Sequence, residues 1–469
     1  MNDIAVKSPP LDEFGHAQQT TKDRTHAQMA RVLGLPSLLL FGLAYMVPLT
    51  VFTTYGIVTQ TTGGHLSAAY VVTLVTMLFT AYSYGRMGAA LPVAGSAYAY
   101  ARKAFGGNVG FMVGWALLLD YLFMPMICYL VIGIYMSQYF PGVPSPVWIV
   151  GCIAAVLALN VLGIKLVTKA NFALIGVQVV FIVVFVVASV KSIGVGSPVS
   201  FVRPFYERGM NTSGLFMGAA TLCLSFLGFD AVSTLSEETR DPQRLLPKAI
   251  ILCTLVSGLL FIFLAYLSQL AMPDWRSFKD ADSASLELME HVGGHLLSAF
   301  FTAVYVAGCF ACAMASQASV TRILFAMGRD GVLPRSIFGR RSVRFGTPVS
   351  ATVAVSVLSL SALAISLDLA STMISFGALV AFSFVNLSTT RHHLGTLRLR
   401  GAGNLLRYGA VPVVGFLLTV WLWTSLSATT FRVGLIWLAV GLCQLLWLTR
   451  GFRRPAPRIE EYEEANACF

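Results

Sequence analysis

Two aspartates, Asp120 and Asp230, each stand inside a run of apolar residues long enough to cross a lipid bilayer. A carboxylate at that depth costs at least about 2.5–3.5 kcal/mol on insertion scales, so such a group faces a cavity or a partner. Asp230 directly follows Leu224-Ser225-Phe226-Leu227-Gly228-Phe229. It can hold an ammonium group or carry a coupled proton, or it can be a structural carboxylate bonded to a broken backbone. Asp120 supplies either a second carboxylate for a cationic solute or an anchor to a neighbouring helix. The aromatic residues Tyr45, Tyr121, Phe226 and Phe229 lie near these positions. Each would contribute about 0.5–2 kcal/mol by stacking on a cation, or would simply pack. Ser316 and Gln317, in a later apolar run, offer neutral hydrogen bonds or helix–helix packing. A charged group comprising Glu237, Glu238, Arg240, Arg244 and Lys248 follows Asp230, and Arg86, Arg322 and Arg329 sit in neighbouring connections. Surface ion pairs of this type are worth about 0–1 kcal/mol. Their expected role is to bias a gate between two states.

These residues must be positioned by membrane-spanning helices. The chain has 469 residues, 56% hydrophobic and only 11% charged, against about 25% charged in soluble domains. Mean hydropathy is +0.75. A span needs about 20 predominantly apolar residues, and such blocks run near 36–60, 66–88, 108–138, 147–164, 171–190, 213–235, 248–271, 294–326, 348–367, 371–390, 408–426 and 431–449. The expectation is one all-α membrane domain of twelve transmembrane helices over 33–450, with polar tails at 1–32 and 451–469. A short amphipathic helix, Ala97–Phe105, is expected between the second and third spans. With the N-terminus inside, the cytoplasmic segments hold 26 of the 32 Lys and Arg residues and the external segments six. The positive-inside rule then places both termini in the cytoplasm.

The net charge of +11 does not indicate a nucleic-acid binder, because the basic residues are spread over the gaps between apolar blocks. Most of the eight cysteines lie inside apolar runs and read as packing residues. Cys309 and Cys312 form a CxxC without a second pair or a histidine partner, so no metal site is expected. The polar first 30 or so residues carry no cleavable signal pattern. No HExxH, Walker motif or Ser/His/Asp set is evident, and the chain does not read as an enzyme.

Two spans carry interruptions at corresponding places. The first has Gly42 and Pro48 near its middle, flanking Tyr45, Met46, Thr50 and Thr53. The sixth has Gly228 between Leu224, Ser225 and Phe226 on one side and Asp230 on the other. Non-helical backbone survives in a bilayer only where protein or water satisfies it. Paired interruptions five spans apart point to an inverted-repeat transporter with its site at the breaks. Taken singly, each interruption reads equally well as a kink or a close-packing glycine.

The motifs also resemble a known family. Leu224–Asp230, Ser236-Glu237-Glu238-Thr239, Asp241-Pro242 and Leu246-Pro247-Lys248-Ala249-Ile250 resemble the sixth-span signature of amino acid–polyamine–organocation (APC) transporters. Pro92-Val93-Ala94-Gly95-Ser96-Ala97-Tyr98 and the segment from Met327 to Pro334 resemble two of that family's cytoplasmic connections. Within it, Gly110–Trp115, Leu119–Phe123, Arg276–Asp280 and Phe376–Leu387 are most similar to bacterial putrescine importers. The resemblance implies a LeuT-like 5+5 inverted repeat with broken helices 1 and 6. It further implies proton-coupled uptake and a site formed by spans one, three, six, eight and ten. The sequence departs from those importers at Thr53, Ile134 and Gln317, where an aspartate, a lysine and a histidine would be expected.

The resulting expectation is a secondary transporter of the bacterial cytoplasmic membrane that imports a small organic amine, putrescine above others, with protons. An amino acid permease or exchanger is the alternative. Tyr45, Met46, Pro48, Thr50, Thr53, Asp120, Tyr121, Leu224, Ser225, Phe226, Asp230, Ser316 and Gln317 are the expected substrate residues, with Asp230 carrying the proton. Glu237, Glu238, Arg86 and Arg322 are the expected gate. The partners are the solute, protons and the bilayer, without cofactor, metal or nucleic acid, in a monomer or weak homodimer.

Overall fold

The computed structural model describes residues 32–91, 96–162, 167–193, 200–329, 331–339 and 347–456. Both expected tails, most of the segment Pro92–Ser96 and part of the connection after Met327 lie largely outside those residues. Apolar runs of this length become helices because hydrocarbon offers no partner for backbone N–H and C=O groups. The helices are α1 (Leu35–Tyr45), α2 (Tyr55–Thr61), α3 (Leu66–Ala90), α4 (Ser96–Phe105), α5 (Gly107–Tyr139), α6 (Ser145–Leu162), α7 (Val167–Ser192) and α8 (Thr212–Thr221). They continue as α9 (Pro242–Ala271), α10 (Ala284–Arg329), α11 (Val349–Ser359), α12 (Leu367–Thr390), α13 (Ala402–Leu405), α14 (Val411–Thr424) and α15 (Ala428–Leu448). Among the described residues there is no named β-strand, only an isolated bridge between Leu33 and Thr239.

Eleven helical segments among the described residues are long and apolar enough to cross a membrane. The ninth expected block coincides with a shorter apolar helix, Val349–Leu363, whose last turn tightens at Leu360–Leu363. The amphipathic connection forms as α4. The long run α10 is two helices joined at Gly294, where φ is +69°, so its membrane part starts where the eighth block was expected.

Helix α9 packs along α3, and α12 and α10 both pack against α5. Helix α15 is fastened to α5 by stacked indoles, Trp115 on Trp437 at 5.0 Å between centroids. Each indole N–H donates to the other residue's carbonyl, at 2.9 and 2.8 Å. The outer faces of α7, α14 and α15 present Val180, Val183, Val187, Leu417, Ile436 and Val440 as exposed side chains. That is the signature of a surface whose solvent is lipid. The interior holds an aromatic cluster in which Phe52 meets Phe181, Phe185 and Phe301 edge-on.

Two of the spans are not continuous helices. Helix α1 ends at Tyr45, Val47 adopts a positive φ of 41°, and a tight turn, Pro48–Phe52, leads to α2. Helix α8 ends at Thr221 and tightens over Leu222–Phe226; Gly228 then takes φ +122°, and a second tight turn follows over Ala231–Glu237.

Candidate substrate site

The two interruptions meet. A Cβ placed on Gly228 would lie 2.7 Å from Cδ1 of Tyr45 and 3.1 Å from the backbone nitrogen of Met46. Glycine is therefore needed twice over, for its φ and for this approach. Gly228→Ala is expected to lose solute uptake and to lower the unfolding temperature, since strain of this kind costs about 1–3 kcal/mol. Wild-type uptake together with a wild-type melting curve would refute the contact's importance.

Around the contact the structure gathers acidic groups. Gly228 N–H donates to Oδ1 of Asp230 at 3.1 Å, and the Ser233 hydroxyl donates to the Asp230 carbonyl at 2.6 Å. Asp120, on α5, lies within electrostatic reach of Asp230, and both lie within reach of the Tyr45 hydroxyl. Cys312 of α10 faces the same group. Although these positions are central in the bundle, Asp120, Asp230, Cys312 and Ser316 keep partial exposure, and Tyr45 is 45% exposed. Such partial exposure is what a solute-accessible cleft would require. Among the described residues no Lys, Arg or His pairs with either aspartate, the two ion pairs being Arg203–Glu207 and Arg244–Asp241.

The remaining expected residues divide. Met46 is buried beside the Cys253 thiol, 3.6 Å away. Thr50 donates its hydroxyl back to the carbonyls of Met46 and Val47, capping the break. Pro48, at the break, and Tyr121, on α5, are half-buried. Ser316 donates to the Cys312 carbonyl at 2.7 Å and, like Cys312, is half-buried. Leu224 is buried, Ser225 bonds to Tyr70 on α3 at 3.1 Å, and Phe226 meets Phe261 on α9 edge-on. These three therefore fasten the sixth span to its neighbours.

Thr53 and Gln317 belong to a neutral buried network. The Thr53 hydroxyl is hydrogen-bonded to Tyr305 of α10. Tyr129 of α5 donates to Gln317 Oε1 at 2.6 Å, and Gln317 Nε2 donates to Ser356 of α11 at 2.7 Å. Tyr129→Phe leaves a fully buried amide oxygen without its donor, which costs about 1–3 kcal/mol. The expected result is a lower melting temperature in detergent with solute selectivity unchanged; no change in melting would show that the bond is not made. Ile134, the third departure, is half-buried against the main core.

The gate residues are placed separately. The Glu237 side chain lies outside the described residues. At its neighbour, Leu33 N–H donates to the Glu238 carbonyl and Arg240 N–H to the Leu33 carbonyl, at 3.0 and 3.1 Å. The segment before α1 is thus tied through backbone to the end of the sixth span beyond Ala231–Glu237. Arg244 pairs with Asp241 at 3.8 Å, Arg322 is exposed, and Arg86 lies over the rings of Tyr82 and Tyr408.

Sequence reading missed Tyr129, Tyr305 and Ser356. Tyr305 had a signal, since it precedes Ser316 by eleven residues, three helical turns, and so shares its face. Also missed was a cavity of about 290 Å³ lined by Gln60, Thr61, Asp282, Asp368, Thr372 and Ser427. Burial, then Asp280 and Asp368, push the Asp282 carboxyl above its usual range.

Known proteins align with this chain over nearly its whole length. The family model "Amino acid permease" matches residues 37–442. The low-affinity putrescine importer PlaP of Escherichia coli (strain K12) is 39% identical over 450 residues, 95% of this chain and 99% of that protein. The branched-chain amino acid permease BcaP of Bacillus subtilis is 26% identical over 439 residues, 88% of this chain and 92% of its own. The methylthioribose transporter of the same organism is 26% identical over 459 residues, 93% and 95% of the two chains.

Proposed function

The chain belongs to the amino acid permease family, and on that premise we propose that it imports a small organic amine, putrescine above others, across the bacterial inner membrane. The observation that carries this reading is the pair of carboxylates, Asp120 and Asp230, at the junction of the two interrupted spans, neither paired with a cationic side chain among the described residues. A carboxylate held in a low-dielectric cleft without a counter-charge is costly. A cationic solute supplies the missing charge, and two carboxylates suit a solute with two ammonium groups. The 39% identity to a putrescine importer supports the same solute class. Freed carbonyls at the breaks complement the ammonium groups further. Tyr45, half-exposed beside both aspartates, offers its ring to the solute.

In this reading Asp230 carries the coupled proton, and the cavity carboxylates, Asp282 and Asp368, draw cations toward the site. Transport proceeds by alternating access, with the interrupted spans and their neighbours rocking about the fixed site. The 26 to 6 distribution of basic residues supports cytoplasmic termini. The test is uptake in proteoliposomes: labelled putrescine should accumulate under an inward proton gradient and exchange with internal putrescine in counterflow. Absence of saturable putrescine uptake under either condition would sink the proposal.

A further inference from the structure

A second charged site lies away from the substrate cleft, where the last turns of α3 and α12 meet the connection to α14. Two π-helical turns build that connection, Arg391–Thr396 and Leu406–Ala410. Such turns are rare and concentrate at functional positions. The second turn presents Tyr408, whose ring stacks on His393 of the first at 4.1 Å with only 5° between planes. His393 is held in place by its Nδ1, 3.0 Å from the Thr389 carbonyl. Arg86 of α3 covers the other side: its guanidinium carbon is 5.8 Å from the Tyr408 ring centre and 5.0 Å from that of Tyr82. Arg391 lies over Phe105 of α4 at 5.0 Å, and Lys103 of the same helix is within electrostatic reach of His392.

Among the described residues this cluster has no anion. The two stretches that build it, residues 83–105 and 386–410, contain seven Lys and Arg residues and no Asp or Glu. No acidic residue occurs anywhere between Asp23 and Asp120 or between Asp368 and Glu460. Among the described residues, Arg86 Nε is buried without an acceptor, and Ser83 Oγ, Thr390 Oγ1 and Asn386 Oδ1 are buried without a partner. A buried guanidinium donor without an acceptor carries a desolvation cost that a bound anion removes. The ring contacts around Arg86 hold its fork in one plane, the geometry suited to a phosphate.

The surroundings identify the source of that phosphate. Leu397, Leu405 and Leu406 are each more than half exposed beside the cluster. The exposed face of α14 continues from them through Val413, Val414 and Leu417. A basic cluster beside an exposed apolar track matches a headgroup and its acyl chains. We infer that an anionic phospholipid docks here, its phosphate on Arg86 with Arg391 and Arg407 at the rim, and its chains along α14. The lipid ties α3 to the α12–α14 connection, and this holds whatever solute the protein carries.

The experiment uses the full chain in detergent. Thermal unfolding is followed with phosphatidylglycerol, phosphatidylcholine or inorganic phosphate added, and lipids retained on the protein are counted by native mass spectrometry. Phosphatidylglycerol should raise the melting temperature saturably, whereas phosphatidylcholine and inorganic phosphate should not. In Arg86→Gln the half-saturating lipid concentration should rise about fivefold or more, as for loss of one basic contact near a membrane surface. Arg208→Gln, in an exposed loop, should behave as wild type. If Arg86→Gln does not fold, the rim variant Arg391→Gln/Arg407→Gln gives the same readout. Equal shifts with phosphatidylcholine, or an unchanged response in both variants, would overturn the site. A shift with inorganic phosphate alone would overturn the lipid as its ligand.

Discussion

Replacing Asp120 with asparagine should weaken putrescine binding at least about thirtyfold while leaving the protein as stable as before, or more so. The two halves of this expectation have one cause. Asp120 lies within electrostatic reach of Asp230 and Tyr45, and it makes no ion pair among the described residues. In the absence of solute its charge is a cost, because a desolvated carboxylate without a partner destabilises the fold. Asparagine has the same shape and removes that cost, so the melting temperature holds or rises. With solute bound, the carboxylate–ammonium pair is desolvated, and deleting one member of such a pair costs about 2–5 kcal/mol. At about 1.4 kcal/mol per tenfold, the lower bound is the thirtyfold stated. Measurement of putrescine Kd and of thermal unfolding on the same preparation separates the possibilities. A destabilised variant with unaltered affinity would make Asp120 a structural anchor of α5.

The second large effect is expected at Asp230 and divides two modes of transport. Asparagine at this position retains an oxygen to accept the Gly228 N–H, which Asp230 receives at 3.1 Å, so the interruption of the sixth span keeps its local bond. It cannot take up or release a proton. If Asp230 carries the coupled proton, Asp230→Asn abolishes accumulation driven by an inward proton gradient. Downhill exchange in counterflow survives at raised solute concentration, because Asp120 still holds one ammonium group and the solute-loaded protein can change its facing. Gradient-driven accumulation that persists in the variant at the wild-type level assigns the proton elsewhere. Loss of counterflow as well would indicate that the residue's charge serves solute binding first.

The interruptions were legible because glycine and proline mark them directly. Gly228 takes a conformation open to few other residues, and Pro48 opens the tight turn that follows Val47. The two aspartates were legible for a related reason, since an acidic residue in an apolar run is costly and stands out. Orientation of individual side chains was not legible. Ser225 and Phe226 adjoin the break in sequence, yet the tight turn at Leu222–Phe226 aims them at Tyr70 and Phe261. Gln317 stands next to Ser316, but Ser316 is half-buried and bonds only within its own helix, while Gln317 is fully buried and bound on both sides by Tyr129 and Ser356. That difference is a helical rotation of about 100° per residue, and which face is buried depends on packing against α5 and α11.

Arg86 illustrates a further limit. Its place at the inner end of the second span suggested a gate partner, and the structure seats it on Tyr82 and Tyr408. Tyr408 lies more than 300 residues away along the chain, in a π-helical turn that local sequence does not announce. The neutral network presents the same difficulty. Thr53, Tyr305, Tyr129, Gln317 and Ser356 come from four separate segments, and only the folded bundle brings them into hydrogen-bonding range.

The central claim is that the two carboxylates select a cation. Competition against labelled putrescine uptake in proteoliposomes tests it most directly, with diamines, monoamines and neutral amino acids as competitors at equal concentration. Diamines should compete best, monoamines less well because only one carboxylate is engaged, and neutral amino acids not at all. Competition by a neutral amino acid at millimolar concentration, with no amine competing, would contradict the account.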